Sequence, residues 1–193
     1  MRSGIPAGLG YSPAPVNAAA DILLDADSTE RVLHRMASEI VDASRGASDL
    51  CLVGIRRGGV PLAERLALEI GRLEGRTVDV GTVDIALYRD DAATALPDPK
   101  IGPSHIPFDV QGRDVVLVDD VLQTGRTIRA AIECLLDFGR PRRIWLASLI
   151  DRGGRELPIA PDFVGRAIDV PRGTKVLVEV EGGRPVVRER RRA

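Results

Sequence analysis

The chain has 193 residues, 44% of them apolar and 28% charged, which is enough for one globular domain with a substantial core. A formal net charge of −1 excludes an overall basic signature, so contact with nucleic acid would need a local patch. Apolar runs too short to span a bilayer, no secretion-signal core at the N-terminus, and only two cysteines together predict a cytoplasmic protein with no membrane partner.

Residues 1–20 are rich in Gly, Pro, Ala and Ser without apolar periodicity, so they are predicted as a disordered tail, with the folded domain over 21–193. A first helix is predicted from Asp27 or Ser28, where Asp27 and Glu30 have capping-box spacing. Val32, Leu33, Met36 and Ile40 then form its apolar face. Residues 50–53 form a buried strand, with Cys51 as a small core residue. Gly54-Ile55-Arg56-Arg57-Gly58-Gly59 follows, and Pro61 suits the first turn of a helix running to about Gly75. A strand end, glycines and a helix start make an anion site, because glycine lets a ligand approach the backbone while Arg56 and Arg57 supply charge. Taken alone, the loop reads rather as a plain turn with solvated arginines; beside the stretch at 115–127 the anion site is the preferred reading.

Residues 77–87 alternate as a strand, with Gly81 as a bulge. A long connection from Tyr88 to Gly112 holds four prolines, a length that in a compact domain marks a functional or mobile loop. Within it Arg89 is either a diphosphate ligand or one half of a surface ion pair.

The most informative stretch is 115–127, VVLVDDVLQTGRT. Four β-branched or aliphatic residues suit a strand buried on both faces of a parallel sheet. Asp119 and Asp120 arrive where that strand should leave the core. After Val121, Leu122 and Gln123 come Thr124, Gly125, Arg126 and Thr127, opening a helical pattern through Ile128, Ala131, Ile132, Leu135 and Leu136. Helix-start amides with Thr hydroxyls make a phosphate cradle. Paired acids accept hydrogen bonds from sugar hydroxyls or help hold a cation. The combination suits a ribose 5-phosphate, and a crossover whose acids merely cap the helix is the alternative.

Beyond the helix, Gly139 sits where a left-handed residue ends it, ahead of Pro141, and 144–150 form another buried strand. An irregular stretch follows from Asp151 to Pro158. Two closing strands, 176–180 and 186–187, are joined by a Gly182-Gly183 hairpin. The tail 188–192, with four arginines, reads as a solvated end.

The apolar run, two acids, three residues and Thr-Gly-x-Thr resemble the phosphoribosyl-pyrophosphate (PRPP) signature of type I phosphoribosyltransferases. The resemblance implies a mainly parallel sheet flanked by helices, a small hood and a flexible lid loop over 88–112. It implies that Asp119 and Asp120 hold the ribose hydroxyls, that residues 124–127 hold the 5-phosphate, and that Val118 through Thr127 line the ligand. Arg56, Arg57 and Gly58 would form the diphosphate loop. Relatives more often carry Arg where this chain has Gly58, which leaves open which arginine meets diphosphate.

From about Asp27 to Val187 the chain resembles the PyrR family of bifunctional pyrimidine-operon regulators and uracil phosphoribosyltransferases. LYRDD, the central stretch and FGRPRRIWLASLIDRGGRELPI carry the likeness. It implies formation of UMP and diphosphate from uracil and PRPP, with Mg²⁺ bound alongside PRPP. Backbone groups at Ile150, Asp151 and Arg152 would read the uracil edge. A second implied activity is UMP-dependent binding of a homo-oligomer, dimer or higher, to leader RNA of pyrimidine genes, with Arg155 a candidate RNA contact. His34, Ser38 and Ala160 depart from the Thr, His and Arg associated with RNA contact in relatives. A phosphoribosyltransferase for orotate or a purine, without RNA binding, is the alternative reading.

Overall fold

The computed structural model describes residues 21–86, 88, 103–171 and 174–191. In chain order the elements are β1 (Asp21–Leu24), α1 (Ala26–Ser44), β2 (Leu50–Ile55), α2 (Gly59–Glu74) and β3 (Asp79–Val83). Then follow β4 (Asp114–Leu122), α3 (Arg126–Leu136), β5 (Arg143–Asp151), β6 (Phe163–Ala167), β7 (Thr174–Glu181) and β8 (Arg184–Arg191). The tail 1–20 and most of the expected lid, including Arg89, lie outside the described residues.

A five-stranded sheet of order β3-β2-β4-β5-β6 is parallel throughout. β4 lies in its middle, and its residues 115–118 are at most 1% exposed. Strand periodicity divides them. Val116 and Val118 join Leu33, Met36, Leu62 and Leu66 of α1 and α2 on one face. Val115 and Leu117 meet Ile128, Ala131 and Leu135 of α3 on the other. Each fully buried side chain of this kind contributes roughly 1.5–3 kcal/mol, so β4 is fixed by both layers and its C-terminal end is a firm base for a site. Cys51 and Cys134 are buried and free, and desolvation lifts the Cys51 thiol to about 11. It is a core residue, as its apolar setting predicts. Among the described residues no helix is long and apolar enough to cross a membrane.

Several boundaries differ from the sequence reading. α1 is capped by Asp25, not Asp27 or Ser28: Asp25 is extended and its carboxylate accepts from Ser28 N at 2.7 Å. Asp27 instead sits in the first turn and pairs with Arg184 at 2.6 Å. The strand expected over 77–87 is confined to β3, and Gly81 is no bulge, since it pairs in regular register with Val53. A Cβ there would lie 3.1 Å from Ile106 Cγ1, so this glycine admits the returning chain.

The largest correction concerns 188–192. Instead of a solvated end, Arg188 through Arg191 belong to β8, the middle strand of an antiparallel sheet β1-β8-β7. Arg188 bonds Glu181, and Arg188 and Arg190 both pair with Glu179. A solvated polyarginine and a strand whose charges face acids on its neighbour look alike until the neighbour is known. The Gly182-Gly183 hairpin is present, with φ of 57° and 79° at its two loop residues, as a tight primed turn requires.

Candidate active site

β4 does not stop at Val118. It runs through both acids to Leu122, with Asp119 opposite Ser148 and Val121 opposite Ile150. Neighbouring strand residues face opposite sides, so the two carboxylates separate. Asp119, 5% exposed, lines a cavity of about 400 Å³. Asp120 lies against Gly58 at the start of α2. Their carboxylates also fold back on the chain: Asp119 Oδ1 accepts from Asp120 N at 3.1 Å and Asp120 Oδ1 from Val121 N at 2.9 Å.

The cavity is walled by residues Val121 through Thr127 together with Asp119 and Glu156. Its floor is the turn from β4 into α3. Gly125, with φ 90°, precedes the first helical residue and offers no side chain to cap the helix. Thr124 Oγ1 accepts from Arg126 N at 3.3 Å. First-turn amides have no intrahelical acceptor, so the turn gathers donors where an anion can sit. A Cβ on Gly125 would lie 3.4 Å from Leu157 Cβ and from Ile159, at ordinary contact distance, so only a larger side chain would meet them.

Residues 151–159 fold back over this turn. Arg152 N donates to Leu122 O at 3.1 Å, and Glu156 N and Leu157 N donate to Thr124 O at 3.0 and 3.1 Å. Arg155, the candidate RNA contact, braces this turn. Its guanidinium donates to Gln123 O at 3.0 Å, Ile159 O at 2.9 Å and Asp151 Oδ2 at 2.7 Å. Burial raises the Asp151 carboxyl, but the Arg155 bond, the Gly153 N–H and the Arg155 charge outweigh it and hold the group below the usual carboxylate range. Glu156, which the sequence reading passed over, pairs with Arg126 at 2.7 Å across the cavity wall. Only the fold-back reveals it, because 30 residues separate the partners.

Several backbone groups expected to read a base are engaged within the protein. Ile150 O accepts from Ser148 Oγ at 2.8 Å and Asp151 O from Ile168 N at 2.9 Å. Arg152 also reaches the small sheet, donating to Thr174 O at 2.8 Å.

On the other side of the β4 end, Arg56 and Arg57 are exposed on the turn between β2 and α2, joined by a cis peptide. Arg56 N donates to Val83 O at 3.0 Å. Val118, buried in the core, presents its carbonyl to this turn: a Cβ on Gly59 would lie 2.1 Å from it. The structure thus brings Asp119, Asp120, residues 121–127 and the 56–58 turn to one rim of the parallel sheet. Loops past the strand C-termini are where open α/β sheets bind ligands.

Known proteins share this arrangement. The phosphoribosyl transferase domain model matches residues 19–178. A "Bifunctional protein PyrR" from Roseiflexus sp. (strain RS-1) is 54% identical over 164 residues, 83% of this chain and 90% of that protein. Another from Pelotomaculum thermopropionicum is 52% identical over 168 residues, 86% and 93% of the two chains. In fold, the hypoxanthine phosphoribosyltransferase of Trypanosoma cruzi superposes with a TM-score of 0.66 at 17% identity, covering 89% of this chain and 97% of that one. With its parallel sheet, its paired acids and its turn into α3, the chain belongs to the type I phosphoribosyltransferases and, among them, to the PyrR family.

Proposed function

We propose that the protein transfers a phosphoribosyl group from PRPP to uracil, giving UMP and diphosphate, and that it is also a UMP-dependent RNA-binding regulator of pyrimidine genes. The observation that carries this is the 400 Å³ cavity at the end of β4, with an acid on its wall and a helix start on its floor. Relatives that share half of its residues bear a bifunctional name.

The 5′-phosphate would lie on residues 124–127, with ribose hydroxyls toward Asp119 and Asp120 and diphosphate on the Arg56–Gly58 turn. The C1–O bond to diphosphate breaks ahead of the bond from uracil N1 to C1, and the N1 proton leaves to water. Positive charge builds on the ribose ring between these events, and Asp120 stabilises it electrostatically. Holding both reactants in line supplies the rest. Mg²⁺ fits this donor set as a cation carried by PRPP. Among the described residues no group of three or more His, Cys, Asp or Glu could hold a metal, and Asp119 and Asp120 would meet it largely through water. When bound, it neutralises the leaving diphosphate.

For RNA, Arg155 shapes the 151–159 loop rather than offering free charge. The protein works as a homo-oligomer in the cytoplasm. Product formation from PRPP with uracil, orotate, hypoxanthine and guanine tests the enzyme. Turnover with uracil alone is expected, and turnover with a purine or orotate instead would overturn the assignment.

A further inference from the structure

We propose that Glu156 is a counter-ion that competes with the nucleotide 5′-phosphate for Arg126, and so sets how tightly the site holds phosphorylated ligands. This rests on the reading of the turn into α3 as a phosphate cradle.

Arg126 and Glu156 both line the cavity, and Glu156 Oε2 accepts from Arg126 Nε at 2.7 Å. Glu156 is the wall residue that comes from outside the β4–α3 segment, and its charge has the wrong sign for an anion site. Its backbone is held by Thr124 O, so its side chain starts from a fixed point beside the cradle, and the bond to Arg126 keeps the carboxylate there. The pair is 38% and 52% exposed. An exposed ion pair is a weak one, and a phosphate offers Arg126 a bidentate partner of greater charge. When phosphate arrives, Arg126 is shared with or surrendered to it, and Glu156 is left as a like charge nearby. Phosphate affinity is therefore held below what the cradle alone would give, which favours release of UMP after each turnover. Uridine, which has no phosphate, should not sense Glu156.

The test is calorimetry with UMP and with uridine on the wild-type protein and on Glu156→Gln, which keeps the shape and the backbone bonds of the loop. The Arg126 Nε–H resonance is followed by NMR in the same samples. We expect the UMP dissociation constant of Glu156→Gln to fall about two- to fivefold, the change an exposed ion pair sets. Uridine affinity should not move. In the wild type UMP should shift the Arg126 resonance, and uridine should not. If wild type prefers UMP to uridine but Glu156→Gln binds UMP no more tightly, the competition is overturned and the cradle stands. If wild type binds UMP and uridine alike, the cradle reading itself falls.

Discussion

Gly58 and Asp120 share one space: a Cβ on Gly58 would lie 2.0 Å from Asp120 Oδ2 and 2.3 Å from its Cγ. The Gly58 backbone, at φ −70° and ψ −29°, is one that any residue adopts. In this chain glycine leaves the room that the Asp120 carboxylate occupies, and torsion does not require it. Gly58→Ala must push the Asp120 carboxylate away while leaving the α2 backbone as it is. A displacement of about 1 Å at a reacting centre can cost on the order of 100-fold. Turnover with PRPP and uracil should fall by about 10- to 100-fold with a melting temperature close to wild type. Unchanged turnover would show that Asp120 does not act from this position.

Asp120→Asn removes the charge and keeps the shape. Because Asp120 is not buried in the apolar core, stability should change by no more than about 0.5 kcal/mol. The rate of UMP formation should drop far more than PRPP affinity does. Steady-state kinetics beside a denaturant titration separates the two, and wild-type turnover would remove Asp120 from the mechanism.

Gly125→Val acts on the cradle twice. A β-branched residue is strained at φ 90°, and its side chain enters the space of Leu157 and Ile159. The strain costs about 1–2 kcal/mol, which a domain of this size tolerates. PRPP binding should be lost to calorimetry while the circular dichroism spectrum persists; retained affinity would place the phosphate elsewhere.

Acid stability has a definite sign. The Arg142 guanidinium, bonded to Asp114 through Nε and Nη2 at 2.9 Å each, holds the Asp114 carboxyl below its usual value. Asp151 is lowered as well. A carboxylate with a depressed folded pKa stabilises the fold above its unfolded pKa, about 3.9, and that contribution disappears as pH falls through the folded value. Urea midpoints should therefore fall below about pH 4, and less steeply in Asp114→Asn. Parallel acid limbs in the two proteins would mean the pair is silent.

Regulation predicts a reciprocal effect. If UMP tightens binding of leader RNA from the organism's own pyrimidine genes, that RNA must tighten UMP by the same factor. Phosphate contacts by arginine should make RNA affinity fall steeply with salt, and sequence choice should come from exposed hairpin bases. A scrambled RNA that binds as well, with UMP changing neither, would leave the enzyme alone.

What was legible in the sequence was local. Residues 115–118 announced a doubly buried strand, Gly125 and the threonines announced a turn into a helix, and Gly182-Gly183 announced a hairpin, because each needs only its neighbours. What was illegible depended on distant partners. β1 is short, and its hydrogen-bonding partner β8 lies at the other end of the chain; β6 is short too, and an irregular stretch separates it from its partner β5. Arg155 reads as a surface charge until Gln123 and Ile159 are brought to it. The split of Asp119 and Asp120 to opposite sides follows only once β4 is seen to continue past Val118.

The middle position of β8 has a consequence for biosynthesis. β1 and β7 both hydrogen-bond to a strand that emerges from the ribosome after them, whereas β2, β3 and β4 already have one another. At about 5–20 residues per second, the parallel sheet can assemble while the small sheet is still waiting for Arg184 through Arg191. A chain interrupted before Arg184 would keep a folded nucleotide rim and leave two strand edges bare, ready to pair with another molecule. Truncated products should therefore be caught as aggregates, not as soluble, partly active enzyme.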